Sequence, residues 1–432
     1  MQKAISKCLL FFIIGLTGLL VLRDVIGFSY NKYLLVGYFL LFAILAKPKV
    51  LAPMLCFMFP LTWGLPYTYI FFAGIVLYWI KRRKMPIQVF ILISCYLLLE
   101  IIASFWYPEL DYVAIIKYTS VLSIFFTFLY DSNVDKEQCI KAFYIGSLVL
   151  CGIILISTIK NAPSNWLYLF SRGFFRFGKN HIEEVVDMAL SLNANNLAYY
   201  SLIGFSLSLS FLMSNKGKNI LFYIGGCLLF LIMGVFSVSM SFVVTISICI
   251  SLFILSRLKE RTTVLYSLLI TSVIVFIFAY IIFKMPDTLI AFSSRFDSTD
   301  IATANQRFTL FILYNEAFWN NIRFVLLGTG VTQYTSVINI FSSMHNMIQQ
   351  IFVCYGIFFG IIFFISILYP IKAIIKSRKI SIIKWLPLIS VILFTQTIQF
   401  INPEPLMLPY VIAFYVLATA PLKKQTNKGD SL

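Results

Sequence analysis

Charged residues are scarce in this sequence. They make up 12% of its 432 residues, while 60% of the residues are hydrophobic. Soluble domains usually carry about 25% charged residues. The mean hydropathy is +0.91, and many apolar runs are long enough to cross a bilayer. The sequence therefore predicts an all-α, polytopic integral membrane protein in which residues 1–432 form a single transmembrane domain.

Residues that commonly hold metals or disulfides are also few. The chain has two histidines, and its eight cysteines lie in apolar segments except Cys139, which we predict to be cytoplasmic. No disulfide framework or cysteine metal site is implied. The turn Gly328-Thr329-Gly330 has Gln333 where a dinucleotide-binding loop needs a third glycine. We therefore expect no metal and no other cofactor.

A soluble catalytic module is missing as well. The longest predicted cytoplasmic connections, near 131–141 and 371–384, are too short to fold alone. We also find no internal repeat and no low-complexity linker. Any chemistry is therefore expected at the outer face or within the membrane.

Fourteen apolar segments are predicted to span the membrane. They cover residues 8–26, 33–47, 49–62, 66–80, 86–106, 112–130, 139–158, 192–213, 219–236, 238–256, 262–283, 346–370, 382–400 and 405–421. Segments 33–47 and 49–62 are short for the roughly 20 residues that a spanning helix needs. If Pro48 and Pro53 only kink one hairpin, the count falls to twelve. No small-residue cleavage site follows the first segment, which favours a span over a signal peptide.

Lysine and arginine indicate the orientation. With the N-terminus inside, alternate short connections hold 23 of the 34 basic residues. The positive-inside rule then places both termini of a multi-pass protein in the cytoplasm. The net charge of +17 is thus mostly a topology signal and does not indicate nucleic-acid binding.

Two sizeable outer loops, 159–191 and 284–345, carry clustered basic residues against this bias. Four of their arginines are candidate ligands for an anionic lipid-linked diphosphate: Arg172, Arg176, Arg295 and Arg307. Arginine keeps its charge and forms bidentate contacts with phosphate oxygens. Alternatively, the acidic residues in the same loops pair with some of these arginines, or loops of this size simply carry charges.

His345 is the candidate catalytic residue. It precedes the apolar run 351–369, and Ser342 or Ser343 is a predicted N-cap for that helix. On such a helix His345 would face Gln349, and Asn346 would face Gln350, at the outer boundary of the membrane. An imidazole can act as a general base near neutral pH. The alternative is a histidine that caps the helix or anchors it at the interface.

Two further features have alternative interpretations. Glu100, the acidic residue deep in span 86–106, is either a satisfied structural carboxyl or part of a polar cavity. The aromatic-rich run 166–177 is typical of a segment lying at the membrane interface, and close to an arginine site it would also guide a polyprenyl chain.

Residues 170–370 resemble the O-antigen polymerase and O-antigen ligase family of bacterial polysaccharide assembly. The pattern comprises, in order, Arg176-Phe177-Gly178, Asn195-Asn196-Leu197-Ala198-Tyr199-Tyr200, Ser237-Val238-Ser239-Met240-Ser241, Arg307, Leu326-Leu327-Gly328-Thr329-Gly330, Tyr334, His345-Asn346, Gly356 and Gly360. In one respect the chain departs from it: members often have an arginine after the Ser-x-Ser pattern, where this chain has Met240.

The resemblance implies an activity and its partners. Such proteins lie in the bacterial inner (cytoplasmic) membrane. At its outer face they take a glycan from undecaprenyl diphosphate and transfer it to a sugar hydroxyl, without metal or nucleotide. The acceptor is a second lipid-linked glycan in a polymerase and lipid A core in a ligase. His345 would be the base, Asn346 and Gln349 would support it, and the outer arginines would stabilise the departing diphosphate. A chain-length regulator and a flippase are further implied partners.

We expect a repeat-unit polymerase for O-antigen, capsule or a similar glycan. A ligase is the closest alternative, because it differs only in the acceptor. A flippase or other transporter of lipid-linked sugars is the alternative from another class. Transporters commonly have broken helices and ionisable residues near the membrane midplane. The predicted spans here contain almost no ionisable residues.

Overall fold

The computed structural model describes residues 6–83, 85–105, 111–162, 164, 177–178, 192–214, 219–256, 299–332, 334–340, 343–401 and 405–422, with residues 214 and 299–307 described by their backbone alone. Every predicted apolar segment within these ranges forms a helix, which confirms the helical class. The predicted span 262–283 lies outside the described residues. Much of the predicted loop 284–345 is also helical where it is described.

The helices are numbered here in chain order. They are α1 (Lys7–Val21), α2 (Tyr33–Leu45), α3 (Pro48–Met58), α4 (Tyr67–Arg82), α5 (Ile87–Ser104), α6 (Tyr112–Tyr130), α7 (Lys136–Asn161), α8 (Ala194–Ser214), α9 (Ile220–Phe236), α10 (Met240–Leu255), α11 (Thr299–Trp319), α12 (Ile322–Leu327), α13 (Tyr334–Ile338), α14 (Met347–Ser377), α15 (Ile382–Phe394) and α16 (Leu408–Ala418). A π-helical turn extends α1, and 3₁₀ turns follow α3 and precede α16.

Six helical segments of the described chain are long and apolar enough to cross a membrane. They are Lys7–Ile26, Ile87–Ser104, Tyr112–Tyr130, Lys136–Asn161, Ala194–Met213 and Met347–Ser377. Shorter apolar helices include α2, α9, α10 and α15. These helices are those of a helical membrane protein.

The short segments around Pro48 are two separate helices. Helix α2 ends at Leu45, and Pro48 is the first residue of α3. Proline suits that position because its missing N–H would have no helical partner there. Pro53 lies inside α3, where the chain continues as helix.

The helices at the centre of the bundle and those at its surface are all apolar. They differ in how many of their residues are buried. Every residue of α16 is buried, and α3 is buried from Leu51 to Met58. In contrast, α5 exposes large apolar side chains such as Ile87, Phe90 and Leu98. Exposed apolar surface on this scale is stable where the surrounding solvent is lipid.

One end of the bundle, which we call the lysine-rich end, gathers several of the basic connections. Arg82, at the end of α4, donates from Nε and Nη2 to the carboxylate of Asp131, each at 3.0 Å. The ammonium of Lys136 lies 5.9 Å from the centre of the Tyr415 ring, near the end of α16. The backbone N–H of Lys379, just after α14, donates to the carbonyl of Pro421 at 2.9 Å. These contacts bring three connections rich in lysine and arginine to the same end.

The opposite end, which we call the His345 end, is held together by different contacts. Lys160 Nζ donates to the carbonyl of Val25 at 2.7 Å, which joins the ends of α7 and α1. The Glu100 carboxylate, near the end of α5, accepts the backbone N–H of Val331 at 2.7 Å. Helix α14 begins just after His345 and ends just before Lys379 of the lysine-rich end, so His345 lies at the opposite end.

Candidate functional site

His345 lines a pocket of about 270 Å³ that three segments of the chain build together. Apart from His345, its polar and aromatic lining includes Phe308 and Phe311 of α11, Asn346 and Gln349 at the start of α14, and Gln396 and Thr397 after α15. An imidazole, three carboxamides and a hydroxyl therefore border one small space beside two phenylalanine rings. Groups of this kind can accept or donate hydrogen bonds to sugar hydroxyls.

The helix after His345 begins later than the sequence predicted. Its N-cap is Asn346, whose Oδ1 accepts the backbone N–H of Gln349 at 3.0 Å. The prediction that Ser342 or Ser343 caps this helix is therefore wrong, since asparagine is an equally good cap directly before the apolar run.

His345 itself lies outside the helix. It precedes the N-cap, so its predicted helical i, i+4 relationship to Gln349 is also wrong. Both side chains nevertheless line the same pocket. They are separated by the N-cap Asn346, whose backbone is extended, so helical periodicity does not bring them together.

Gln349 connects the start of α14 to α11. Its Nε2 donates to the backbone carbonyl of Phe311 at 2.7 Å, and the side chain is 7% exposed. This hydrogen bond sets the spacing between α14 and the helix that forms the opposite wall of the pocket. Gln349 is therefore a positioning residue for the wall as well as a lining residue.

Gln350 holds the third side of the pocket. It is fully buried, and its Oε1 accepts the backbone N–H groups of Phe400 and Ile401, each at 2.9 Å. Its Nε2 donates to the carbonyl of Ile401. The backbone N–H of Met347 also donates to the carbonyl of Thr395 at 3.1 Å. These bonds fix the turn 395–401, which contributes Gln396 and Thr397 to the pocket.

A buried tyrosine lies next to the segment that carries His345. Tyr334 of α13 is 6% exposed, and its ring centre lies 6.0 Å from that of Tyr314 in α11. Burial raises the pKa of Tyr334 to about 12. The phenol therefore stays protonated near neutral pH, where it cannot serve as a base.

Helix α14 is broken inside its apolar run. Gly356 has φ 72° and ψ 175°, which is not a helical conformation. Because of the break, the carbonyls before it lose their helical N–H donors. Backbone N–H groups of the turn 328–330 donate to them instead. Thr329 N–H donates to the carbonyl of Val353 at 2.9 Å, and Gly330 N–H donates to that of Cys354 at 3.0 Å. Non-helical backbone at membrane depth is stable where protein satisfies its polar groups in this way.

Glu100 anchors the same turn from the other side. Its carboxylate accepts the N–H of Val331 at 2.7 Å, the N–H of Thr332 at 2.9 Å and the Thr332 hydroxyl. The side chain is 2% exposed. Of the two interpretations from the sequence, these contacts favour the satisfied structural carboxyl. The sequence did not reveal its partner, which lies 231 residues along the chain.

Two segments of the family-like pattern also come together. The N–H of Phe177 donates to the carbonyl of Phe236 at 3.1 Å, and the two rings stack at 5.0 Å. Phe236 ends α9 directly before Ser237-Val238-Ser239. Gly178 has φ 104°, and a Cβ there would lie 2.8 Å from the carbonyl oxygen of Leu192. These contacts join the middle of the first predicted outer loop to the end of α9 and to the residues just before α8.

Of the four candidate arginines, the structure describes only Arg307, and that one by its backbone alone. Arg172, Arg176 and Arg295 are outside the described residues. Residue 307 is in α11 by its backbone, four positions before Phe311, which lines the pocket. Arg323 of α12 is exposed. The structure thus brings together His345, Asn346 and Gln349, while the arginine part of the predicted site stays a prediction.

Sequence reasoning missed the pocket's other walls. Phe311, Gln396 and Thr397 lie in segments with no motif of their own, and Gln350 was assigned to the same polar stripe as Asn346. The sequence offers one signal for Gln350: an amide in a strongly apolar run must have buried partners.

Comparisons with known proteins identify no relative of this chain. No family model, no curated protein and no solved structure matches it.

Proposed function

We propose that this protein is a membrane glycosyltransferase that polymerises oligosaccharide repeat units carried on undecaprenyl diphosphate. The observation that carries the proposal is the pocket of His345, Asn346 and Gln349 beside α11. This pocket joins the chain's best candidate base to hydrogen-bonding groups suited to sugars. The resemblance over residues 170–370 supports the same activity.

The proposed reaction is an inverting, metal-independent transfer. A nitrogen of His345 takes the proton of an acceptor sugar hydroxyl as its oxygen attacks the anomeric carbon of the donor. The bond from that carbon to the diphosphate oxygen breaks, and its electron pair leaves with undecaprenyl diphosphate. Arg307 and the other outer arginines, Arg172, Arg176 and Arg295, would stabilise the charge that develops on the diphosphate.

We also propose that the chain crosses the bacterial inner membrane fourteen times, with both termini in the cytoplasm. The gathering of basic connections at the lysine-rich end supports this orientation, because such connections stay on the cytoplasmic side. The His345 end then faces outward, where lipid-linked repeat units would be joined.

A deletion strain complemented with variants tests the proposal. Gel electrophoresis of the surface polysaccharide displays the chain-length ladder. We expect His345→Ala and His345→Gln to lose long chains and to leave single repeat units, because a general base contributes about 10²–10⁴-fold in rate. The chain's other histidine provides a control, and His181→Ala should keep the ladder. A full ladder from folded His345→Ala protein would exclude His345 as the base.

The arginine part needs its own comparison. Arg307→Ala should shorten the ladder strongly, whereas Arg323→Ala changes an exposed arginine nearby and should leave it unchanged. Equal ladders from the two variants would remove Arg307 from the proposed clamp. Lysine at position 307 should restore only part of the activity, since it lacks the bidentate geometry of arginine.

Two other functions remain as alternatives with distinct outcomes. A ligase transfers the glycan to lipid A core, and its loss removes all surface glycan, including single capped units. A flippase of lipid-linked sugars gives the same loss together with failed translocation in a vesicle assay. The broken helix α14 is the observation that favours a transporter, since transporters use such breaks to bind substrates. Here, however, the turn 328–330 already occupies the freed carbonyls.

A further inference from the structure

A second and larger pocket lies at the His345 end of the bundle, away from the residues of the proposed site. Its volume is about 650 Å³. It is formed by the end of α1, the residue before α2, the 63–66 turn with the start of α4, and the first turns of α6. It shares no lining residue with the His345 pocket.

Cationic side chains dominate the polar lining of this pocket. Arg23, Lys32 and Lys117 all line it. Within the described part of the chain, no carboxylate forms an ion pair with Lys32 or Lys117. Each of these lysines instead lies near a tyrosine ring. The ammonium of Lys117 is 5.8 Å from the centre of the Tyr67 ring, and that of Lys32 is 5.8 Å from the centre of the Tyr33 ring. The pocket therefore presents two ammonium groups whose charge no described acid neutralises.

The neighbouring acids are already engaged. Arg23 donates to both carboxylate oxygens of Asp24, at 3.1 and 2.8 Å, and to the carbonyl of Gly64 at 2.8 Å. Three of its five N–H groups are thus used, and two are left for a ligand. Asp111, on the same helix as Lys117, accepts the N–H of Ala114 at 2.9 Å. Neither Asp24 nor Asp111 lines the pocket, and Arg23 is paired with Asp24, so the unpaired charge on the pocket's lining is that of the two lysines.

The cationic groups of the pocket are hydrogen-bond donors only. Ammonium and guanidinium groups donate hydrogen bonds and cannot accept them. A ligand that complements them needs negative charge and several acceptor oxygens, and a phosphate group has both.

The mouth of the pocket is apolar and exposed. Phe72, Val113 and Ile116 are 52%, 57% and 44% exposed, respectively. Lys117 lies in the second turn of α6, which is long and apolar enough to cross the membrane. The cationic groups are therefore at the depth where headgroups meet acyl chains, beside surface suited to those chains.

We propose that this pocket binds the phosphate headgroup of an anionic lipid in the leaflet at the His345 end. The phosphate oxygens would accept hydrogen bonds from Lys32, Lys117 and Arg23, and the lipid chains would lie along Phe72, Val113 and Ile116. The site is independent of the proposed glycosyl transfer, because none of its residues belongs to the His345 pocket.

Native mass spectrometry of the full chain in detergent tests this assignment. We expect phosphatidylglycerol, and not phosphatidylcholine, to be retained as one tight adduct. Lys32→Met and Lys117→Met should each weaken retention about 5-fold, equivalent to about 1 kcal/mol per basic residue near an anionic lipid. Lys117→Arg keeps the charge and should retain the lipid, which separates loss of binding from loss of folding.

A matched control and a competitor complete the experiment. Lys160 lies at the same end but does not line the pocket, so Lys160→Met should leave retention unchanged. An equal loss in Lys160→Met, or full retention in the Lys32/Lys117 double variant, would overturn the assignment. Inorganic pyrophosphate distinguishes the source of the phosphate: binding of pyrophosphate without any retention of phosphatidylglycerol would exclude a lipid.

Discussion

Gly328 and Gly356 lie against each other's neighbouring backbone, where the turn 328–330 enters the break in α14. A Cβ at Gly328 would overlap the carbonyl group of Cys354, and a Cβ at Gly356 would lie 2.5 Å from the carbonyl oxygen of Leu326. Both residues also have positive φ, at 75° and 72°. Only glycine combines this backbone conformation with so close an approach.

Alanine at either glycine should destabilise the protein. The positive φ alone costs about 1–3 kcal/mol for a residue with a Cβ, and the overlap adds to it. We expect Gly328→Ala and Gly356→Ala to lower the melting temperature in detergent. Gly152 in α7 has no atom within 4 Å of its would-be Cβ, so Gly152→Ala should be neutral or slightly stabilising. Equal melting temperatures for all three variants would show that the turn and the break do not depend on each other.

Glu100→Gln separates a structural carboxylate from a functional one. In the unmodified protein, two backbone N–H groups donate to the Glu100 carboxylate. Glutamine keeps one acceptor oxygen, but its NH₂ group would face one of these N–H donors. A buried donor left without an acceptor costs about 1–3 kcal/mol, so the melting temperature should fall. Residual activity should fall only as far as folded protein is lost. A variant of unchanged stability and abolished activity would instead assign Glu100 to the chemistry.

Gln349 and Gln350 are adjacent but should respond differently to leucine. Gln350→Leu leaves the N–H groups of Phe400 and Ile401 without their acceptor, so we expect a large loss of stability, at about 1–3 kcal/mol for each buried group. Gln349→Leu removes one donor to the Phe311 carbonyl, which α11 partly satisfies itself. Its main effect should be on activity. Thermal melts alongside the polysaccharide ladder check both; the reverse order of effects would contradict the assigned roles.

We expect the contribution of Asp131 to the free energy of unfolding to depend on pH in acidic solution. Burial raises the pKa of this carboxyl, but hydrogen bonds from Asn133, Tyr78 and Arg82 outweigh it and hold the pKa below the usual range. Because the folded pKa is lowered, the stabilisation is complete above the unfolded value of about 3.9 and is lost as the pH falls through the folded pKa.

Asp131→Asn should therefore lower stability by roughly 3 kcal/mol at pH 7, since it leaves Arg82 without its buried partner. The difference from the unmodified protein should shrink in strongly acidic solution, as melts across the pH range would reveal. Asp111→Asn is the control, because asparagine caps a helix as well as aspartate does. A stability difference that does not change with pH would contradict the role of this ion pair.

The sequence predicted the helices better than it predicted the site. Apolar runs specify helices in a membrane protein because the backbone must satisfy its own hydrogen bonds in lipid. The start of α14 was misplaced because Ser342, Ser343 and Asn346 are all acceptable caps, and local propensity does not choose between them. The contact of Asn346 with Gln349, together with the anchoring of Met347 to Thr395, decides where the helix starts.

What the sequence determined by itself was the helical membrane class and the segments, because hydropathy and periodicity are local properties. It also singled out His345 as a polar group next to an apolar run. The tertiary structure decided what surrounds His345. Phe311, Gln396 and the partners of Gln350 are distant in the chain, and they meet only because α11, α14 and the turn after α15 pack together. It also assigned Glu100 to the turn at Thr332, since a buried carboxylate takes whichever donors the packing of distant segments brings to it.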